Sequence, residues 1–218
     1  MFSNLQKILN ELESYPKTTL VVVTKNRSID EIKKVIEAGI TDIGENRIQS
    51  AEQKLSNLKI TKHLIGHLQT NKVRKAVEIF DMIQSIDSFK LIEKINQECQ
   101  KINKVMPILL QINIFEDENK YGFKTKDLNA KIINELSQKY KNIEIQGLMT
   151  IAKQDLTEKQ TLAGFQKLTN LHQQISKTFT IHHSPFTILS MGMSQDYQLA
   201  LKAGSNMLRI GSAIFESK

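Results

Sequence analysis

Short apolar segments alternate with longer amphipathic segments along the chain, and this alternation restricts the fold more than any other feature. The segment 20–24 carries consecutive apolar residues without polar alternation, which is typical of a strand buried on both faces of a parallel sheet. The intervening segments place apolar residues at helical spacing. We predict eight strands at 20–24, 41–44, 62–66, 82–86, 108–112, 143–148, 186–189 and 207–210.

Start and stop signals mark the helices between these strands. Ser28 and Glu31 have the spacing of a capping box, and Gly39 suits the left-handed position after a helix. Residues 1–13 predict one further amphipathic helix ahead of the first strand. Proline is best tolerated just ahead of a strand, where no interior ladder bond is lost. We expect all three prolines at such positions: Pro16, Pro107 and Pro185.

Eight successive strand–helix steps predict a single TIM-type (β/α)8 barrel domain over residues 1–218, with an extra N-terminal helix. No linker or low-complexity tract divides the chain. A doubly wound open sheet is the alternative. Such open sheets often bind dinucleotides, but no Gly-x-Gly-x-x-Gly motif follows the first strand, which argues against a dinucleotide site.

Composition excludes several function classes. The net charge is +7, but the lysines are scattered, aromatic residues make up 6% and tryptophan is absent, so we expect no nucleic-acid binding. Cys99 is the only cysteine, which rules out an intrachain disulfide. We predict no metal site. No signal peptide or membrane-spanning run is evident, so we expect a cytoplasmic protein without membrane contact.

Polar residues cluster where the predicted strands end, and in a barrel these ends surround one mouth. Lys25 follows the first strand, and Asn46 follows the second. A partly desolvated lysine at such a position is a candidate Schiff-base amine. The alternative is an ordinary exposed lysine at the end of a strand.

The loops after the last two strands carry small residues and hydroxyls, at 190–194 and 211–213. Loops at these places in barrels often bind phosphate, although they also serve as helix caps. Arg209 lies in an otherwise apolar strand and needs a partner, either a cofactor ring nitrogen or a carboxylate such as Glu45. An amine, an arginine and a phosphate-binding pair of loops fit a ligand that has an aldehyde, a ring nitrogen and a phosphate. Pyridoxal 5′-phosphate (PLP) has all three groups.

Several motifs, in this order, resemble the YggS/PROSC family of PLP homeostasis proteins, whose barrel is similar to the N-terminal domain of alanine racemase. The resemblance covers nearly the whole chain. The motifs are VVTK at 22–25, IGENRIQ at 43–49, HLIGHLQTNK at 63–72, GLMT at 147–150, LSMGMS at 189–194 and RIGSAIF at 209–215.

The resemblance implies that Lys25 is the Schiff-base lysine and that Arg209 faces the pyridine nitrogen of PLP. An arginine there keeps that nitrogen unprotonated, which makes PLP a poorer electron sink than an acidic partner would.

The resemblance also implies the rest of the PLP site. Ser190 and the Gly211-Ser212 turn match the phosphate-binding segments of the family. Asn46 and Met191 match positions in the pocket wall. No residue is assigned a catalytic role.

Three departures from the family affect accessory PLP handling. Residues 26–28 lack the second lysine that often follows the Schiff-base lysine. Lys62 stands where an aromatic residue commonly precedes His63. Residues 119–122 read Asn-Lys-Tyr-Gly where the family often has Ser-Lys-Ser-Gly.

The expected function is intracellular PLP (vitamin B6) homeostasis by a monomer that binds PLP without strong catalysis. PLP-dependent apo-enzymes are possible recipients of the cofactor. The chain ends soon after the last strand, so we expect no second domain of the kind that completes the site in alanine racemase. The alternatives are a weak PLP-dependent amino-acid racemase, or a barrel that binds a sugar phosphate or uses Lys25 as an aldolase-type amine.

Overall fold

Eight parallel strands form a closed barrel in the computed structural model, which describes residues 2–179 and 186–216. Each strand pairs with the next one in the chain, and the last strand pairs with the first. This closure confirms the predicted barrel and excludes the open doubly wound sheet. The strands are β1 (Thr19–Val23), β2 (Asp42–Glu45), β3 (Thr61–Leu64), β4 (Met82–Ile86), β5 (Met106–Gln111), β6 (Ile143–Met149), β7 (Ile188–Ser190) and β8 (Met207–Ile210).

Helices surround the barrel, and the predicted N-terminal helix precedes β1. The capping box is confirmed: the Ser28 side chain accepts the Glu31 N–H, and the Glu31 carboxylate accepts the Ser28 N–H. Within the described ranges, none of the helices has the length and apolar character needed to cross a bilayer. The helices are α1 (Phe2–Leu12), α2 (Ile29–Glu37), α3 (Ile48–Leu55), α4 (Val73–Ile79), α5 (Phe89–Lys101), α6 (Ala130–Lys139), α7 (Glu158–Thr178), α8 (Tyr197–Lys202) and α9 (Ser212–Phe215).

The predicted strand positions need small corrections. β4 and β8 have the predicted bounds, and the other strands begin or end one or two residues away. The placement of Pro107 ahead of a strand is wrong, because it is the second residue of β5, opposite Glu144. Its missing N–H is tolerated near the start of the strand. Pro185 lies outside the described residues.

The described residues form two apolar layers. The larger layer lies between strands and helices and includes Val22 of β1, Leu208 of β8 and Phe165 of α7, all fully buried. The smaller layer lies inside the barrel and consists of side chains that alternate with the outer ones along the strands. Its members are Val21, Met82, Leu109, Met149 and Met207.

Gly147 occupies a β-bulge that lets β6 and β7 approach closely. Ile108 of β5 lies opposite Ile145, but the next residue lies opposite Gly147, so β6 carries one extra residue. A Cβ atom on Gly147 would lie 1.8 Å from the carbonyl oxygen of Ile188 in β7. The bulge therefore accepts only glycine without moving a strand.

We predict that Gly147→Ala destabilises the protein by more than about 3 kcal/mol, because a backbone atom of a central strand must move. Gly39→Ala is the matched control: Gly39 has a φ of +93°, but a Cβ there meets nothing within 4 Å. It should cost only about 1–2 kcal/mol. Urea unfolding measures both values, and equal losses would contradict the assignment.

Candidate functional site

A cavity of about 700 Å³ opens at the carboxyl ends of the barrel strands. Side chains and loops from both ends of the chain meet there because β1 and β8 are neighbours. It brings together five of the seven residues that the sequence nominated: Lys25, Asn46, Arg209, Gly211 and Ser212.

Lys25 stands on a tight turn just after β1. The Arg27 N–H donates to the Thr24 carbonyl at 3.0 Å, and Asn26 adopts a left-handed backbone with a φ of +61°. Asparagine tolerates this conformation better than most residues do. Within the described part of the chain, the Lys25 amine has no hydrogen bond or ion pair. Lys25 lines the cavity as an exposed side chain at the end of a strand, and not as the partly desolvated lysine that the sequence analysis considered.

A buried cluster anchors the start of this turn. The Thr24 hydroxyl donates to a carboxylate oxygen of Glu45 at 2.7 Å. Lys54 of α3 donates to the Thr24 carbonyl at 2.9 Å and forms an ion pair with the same Glu45 oxygen. Glu45 is 1% exposed, so this cation is its charge partner in the barrel wall. The sequence analysis considered Glu45 as an ion-pair partner of Arg209. That interpretation is wrong, because Glu45 pairs with Lys54.

Arg209 is 3% exposed, yet it reaches the floor of the cavity from β8. Its Nη1 donates to the Ser190 hydroxyl at 2.5 Å, and its Nη2 donates to the Thr150 carbonyl at 2.7 Å. Burial lowers the pKa of Arg209 to about 10, against the opposing attraction of Asp196. The guanidinium is therefore still charged at neutral pH.

A second group of donors lies where the loops after β7 and β8 meet. The N–H groups of Gly211 and Ala213 point at the Ser194 hydroxyl oxygen, at 3.3 and 3.1 Å. Gly192 lets this loop pass α8, since its φ is +97° and a Cβ would lie 2.6 Å from the Ala200 Cβ. Backbone N–H groups that converge on one oxygen can also bind a phosphate oxygen.

Ser190 and Met191 do not line the cavity. The Ser190 hydroxyl lies inside the barrel, where it donates to Gln84 Oε1 at 2.8 Å and accepts from Arg209. Met191 is fully buried in the outer apolar layer. Ser194, four residues beyond Ser190 in the same loop, takes the position at the cavity that the pattern suggested for a serine.

The opposite rim of the cavity contains His67, Lys120 and Tyr121, which the sequence analysis did not include among the PLP-binding residues. The rings of His67 and Tyr121 stack with centroids 3.7 Å apart and planes 9° apart. His67 Nδ1 lies 2.9 Å from a carboxylate oxygen of Asp87. Lys120 donates to the Ala152 carbonyl at 2.6 Å, and burial lowers its pKa. Unlike Lys25, this second lysine has a fixed partner.

Comparison with known proteins identifies the structural class to which the barrel belongs. The family model for the N-terminal domain of alanine racemase matches residues 1–218. An alanine racemase of Clostridium difficile shares 15% identity with the chain, with a TM-score of 0.77 over 99% of this chain and 57% of that chain. At that identity the likeness concerns the fold alone. The protein is thus a barrel of the alanine racemase N-terminal class.

Relatives with higher sequence identity identify the family within this class. The structure of PipY of Synechococcus elongatus with PLP bound is 35% identical, with a TM-score of 0.84 over 95% of this chain and 97% of that chain. The pyridoxal phosphate homeostasis protein of Synechocystis is 39% identical over 204 residues, 92% of this chain and 91% of the relative. The human one is 35% identical over 209 residues, 90% and 75% of the two chains. The chain belongs to the family of pyridoxal phosphate homeostasis proteins.

The cluster under the Lys25 turn gives a prediction about stability. We expect Lys54→Met to destabilise the protein by about 3–5 kcal/mol, because it leaves the buried Glu45 carboxylate without its cation. Adding Glu45→Gln should recover part of this loss. Thermal and urea unfolding of the two variants and the wild type measure the effect.

The matched control is Lys75→Met, which removes the partner of Glu52 in an exposed ion pair. It should change stability by less than about 1 kcal/mol. A loss for Lys54→Met no larger than that of the control would contradict a structural role for the buried pair.

Proposed function

We propose that this protein binds PLP, holds it covalently on Lys25 and serves PLP homeostasis without strong catalysis. The observation that carries the proposal is the meeting at one cavity of Lys25, whose amine has no partner among the described residues, the buried Arg209 guanidinium and the Ser194–Gly211 corner. At that corner the backbone N–H groups of Gly211 and Ala213 are aligned on one oxygen. By family resemblance we also propose a monomer that passes PLP to PLP-dependent apo-enzymes.

The donors at the loops after β7 and β8 fit a phosphate group. The N–H groups of Gly211 and Ala213 already point at an oxygen, and Ser194 and Ser212 add hydroxyls beside them. Gly211 also keeps the loop close to β1, since a Cβ there would lie 3.1 Å from the Val23 carbonyl oxygen. Neutral donors and hydroxyls of this kind are what phosphate sites in barrels use.

The Lys25 amine fits the aldehyde of the cofactor. When bound, PLP supplies an aldehyde that condenses with amines and a ring that withdraws electrons. None of the residues that the structure describes holds the Lys25 amine, whereas Lys120 is held by the Ala152 carbonyl. The Glu45–Lys54–Thr24 cluster fixes the backbone from which Lys25 extends.

Arg209 supports the proposal of weak catalysis. In the orientation that the family resemblance implies, it faces the ring nitrogen. With a pKa of about 10 it keeps its protons at neutral pH and gives none to that nitrogen. An unprotonated ring stabilises negative charge on a substrate carbon less well.

Lys25→Ala should abolish the borohydride-stable adduct with PLP. Reduction followed by peptide mass spectrometry is expected to place the PLP mass on residue 25 in the wild type. Lys153→Ala is the matched control, because Lys153 is an exposed lysine that lines the same cavity. Labelling of Lys120 or Lys153 in the wild type in place of Lys25 would contradict the assignment.

The PLP-loaded protein should exchange the α-proton of L-alanine in deuterated water only slowly and produce little D-alanine. The physical reason is the unprotonated ring that Arg209 enforces. Proton NMR and chiral chromatography measure the two quantities, with an alanine racemase as the positive control. Rapid exchange together with racemisation would establish the racemase alternative instead.

A further inference from the structure

A continuous chain of polar side chains crosses the interior of the barrel from the partly exposed Asp42 to the buried Arg209. We call it the core relay, and it consists of five residues from five strands: Asp42, His63, Gln84, Ser190 and Arg209. His63 Nε2 lies 2.8 Å from Asp42 Oδ1, and Gln84 Nε2 lies 3.0 Å from His63 Nδ1. The Gln84–Ser190 and Ser190–Arg209 bonds of 2.8 and 2.5 Å complete the chain.

The two ends of the core relay and the orientation of the Gln84 amide together determine the direction of its bonds. The Arg209 guanidinium can only donate, and an ionised Asp42 can only accept. Burial raises the pKa of Asp42, but hydrogen bonds from His63 and Thr41 outweigh it and leave the pKa below its usual value. Asp42 is therefore a carboxylate at neutral pH, and its Oδ1 accepts a hydrogen bond from Nε2–H of His63.

The middle of the core relay has one consistent arrangement. The Gln84 amide nitrogen faces two acceptors, Nδ1 of a neutral His63 ring and the Met207 sulfur at 3.2 Å. Its amide oxygen then accepts from the Ser190 hydroxyl, so the free lone pairs of Ser190 face Arg209. A doubly protonated His63 would direct an N–H at the Gln84 amide nitrogen and break this order.

We infer that the core relay is a positioning device for Arg209, in which Asp42, His63 and Gln84 keep the Ser190 hydroxyl proton directed at Gln84. Ser190 therefore presents only lone pairs to Arg209 and holds the guanidinium toward the cofactor ring. This inference rests on the proposed function. It makes Ser190 a positioning residue inside the barrel instead of a direct ligand of the phosphate. It also gives roles to three residues at some distance from the cavity lining.

Burial explains why the loss of one bond in the core relay would change the position of Arg209. His63 is 1% exposed, and Gln84 and Ser190 are fully buried, so water cannot replace a lost partner. Barrel interiors are usually filled with branched apolar side chains, and such a layer would fold without these polar costs. The polar side chains are connected to one another and lead to a single cation at the cavity.

The first test needs no cofactor. The ¹⁵N spectrum of histidine-labelled protein at neutral pH should show His63 as a neutral ring protonated on Nε2, assigned by the signal that is lost in His63→Asn. A cationic ring, or a ring protonated on Nδ1, would overturn the bond order of the core relay.

The second test is a double-mutant cycle on PLP affinity, followed by the visible absorbance of the bound cofactor. Gln84→Leu and Arg209→Gln should each weaken PLP binding by about tenfold. In the Arg209→Gln background, Gln84→Leu should change the affinity by less than about twofold, because its effect passes through Arg209. Equal losses in both backgrounds would overturn the inference.

Two further variants keep this test decisive. If Gln84→Leu does not fold, Asp42→Ala replaces it in the same cycle, since it removes the acceptor of the His63 Nε2–H at the far end of the core relay. Ser190→Ala should weaken PLP binding, whereas Ser205→Ala, which deletes a buried hydroxyl bonded to main-chain carbonyls, should not. Equal losses for the two serine variants would point to a general defect of the core and overturn the inference.

The outcomes for the proposed function and for the inference are distinguishable. A wild-type protein that forms no adduct and no visible absorbance with PLP contradicts the proposed function and the inference with it. A wild type that binds PLP but gives an additive cycle contradicts only the inference.

Discussion

The pairing of β1 with β8 is the interaction on which the site depends. Val21 lies opposite Arg209, and Val22 lies opposite Ile210, so the first and last strands share a ladder. The lysine comes from the beginning of the chain and the backbone donors come from its end. Without closure of the barrel, Lys25 and Gly211 would belong to opposite edges of a sheet, and neither strand alone could form a cavity.

Closure is reinforced outside the ladder by a residue that departs from the family pattern. Arg27 forms an ion pair with Glu216 at 2.8 Å, and its guanidinium carbon lies 4.9 Å from the ring centroid of Phe215 in α9. The position two residues after Lys25 therefore joins the first turn to the last helix. A lysine there would offer a second amine near the cavity, whereas the planar guanidinium is suited to packing on a ring.

The sequence predicted the fold because strand–helix alternation is a local pattern. It also predicted Lys25, Asn46 and the Gly211-Ser212 turn at the cavity, because residues at the ends of barrel strands share one mouth. It could not give the partners of buried polar groups, since these depend on which strands lie side by side and which side chains point inward. For this reason the Glu45 partner for Arg209 was wrong, and the inward direction of Ser190 was not foreseen.

The sequence nevertheless contained evidence that polar side chains meet inside the barrel. Gln84 lies in a strand whose five residues are all buried, and a glutamine there needs partners for both ends of its amide, as a buried arginine needs acceptors. Applied to Arg209 alone, this argument predicted either a cofactor ring nitrogen or a carboxylate such as Glu45 as its partner. Applied to His63, Gln84 and Arg209 together, it predicts that buried polar residues on neighbouring strands satisfy one another. Polar residues in otherwise apolar barrel strands are thus best interpreted as a set, because each one removes the desolvation cost of the next.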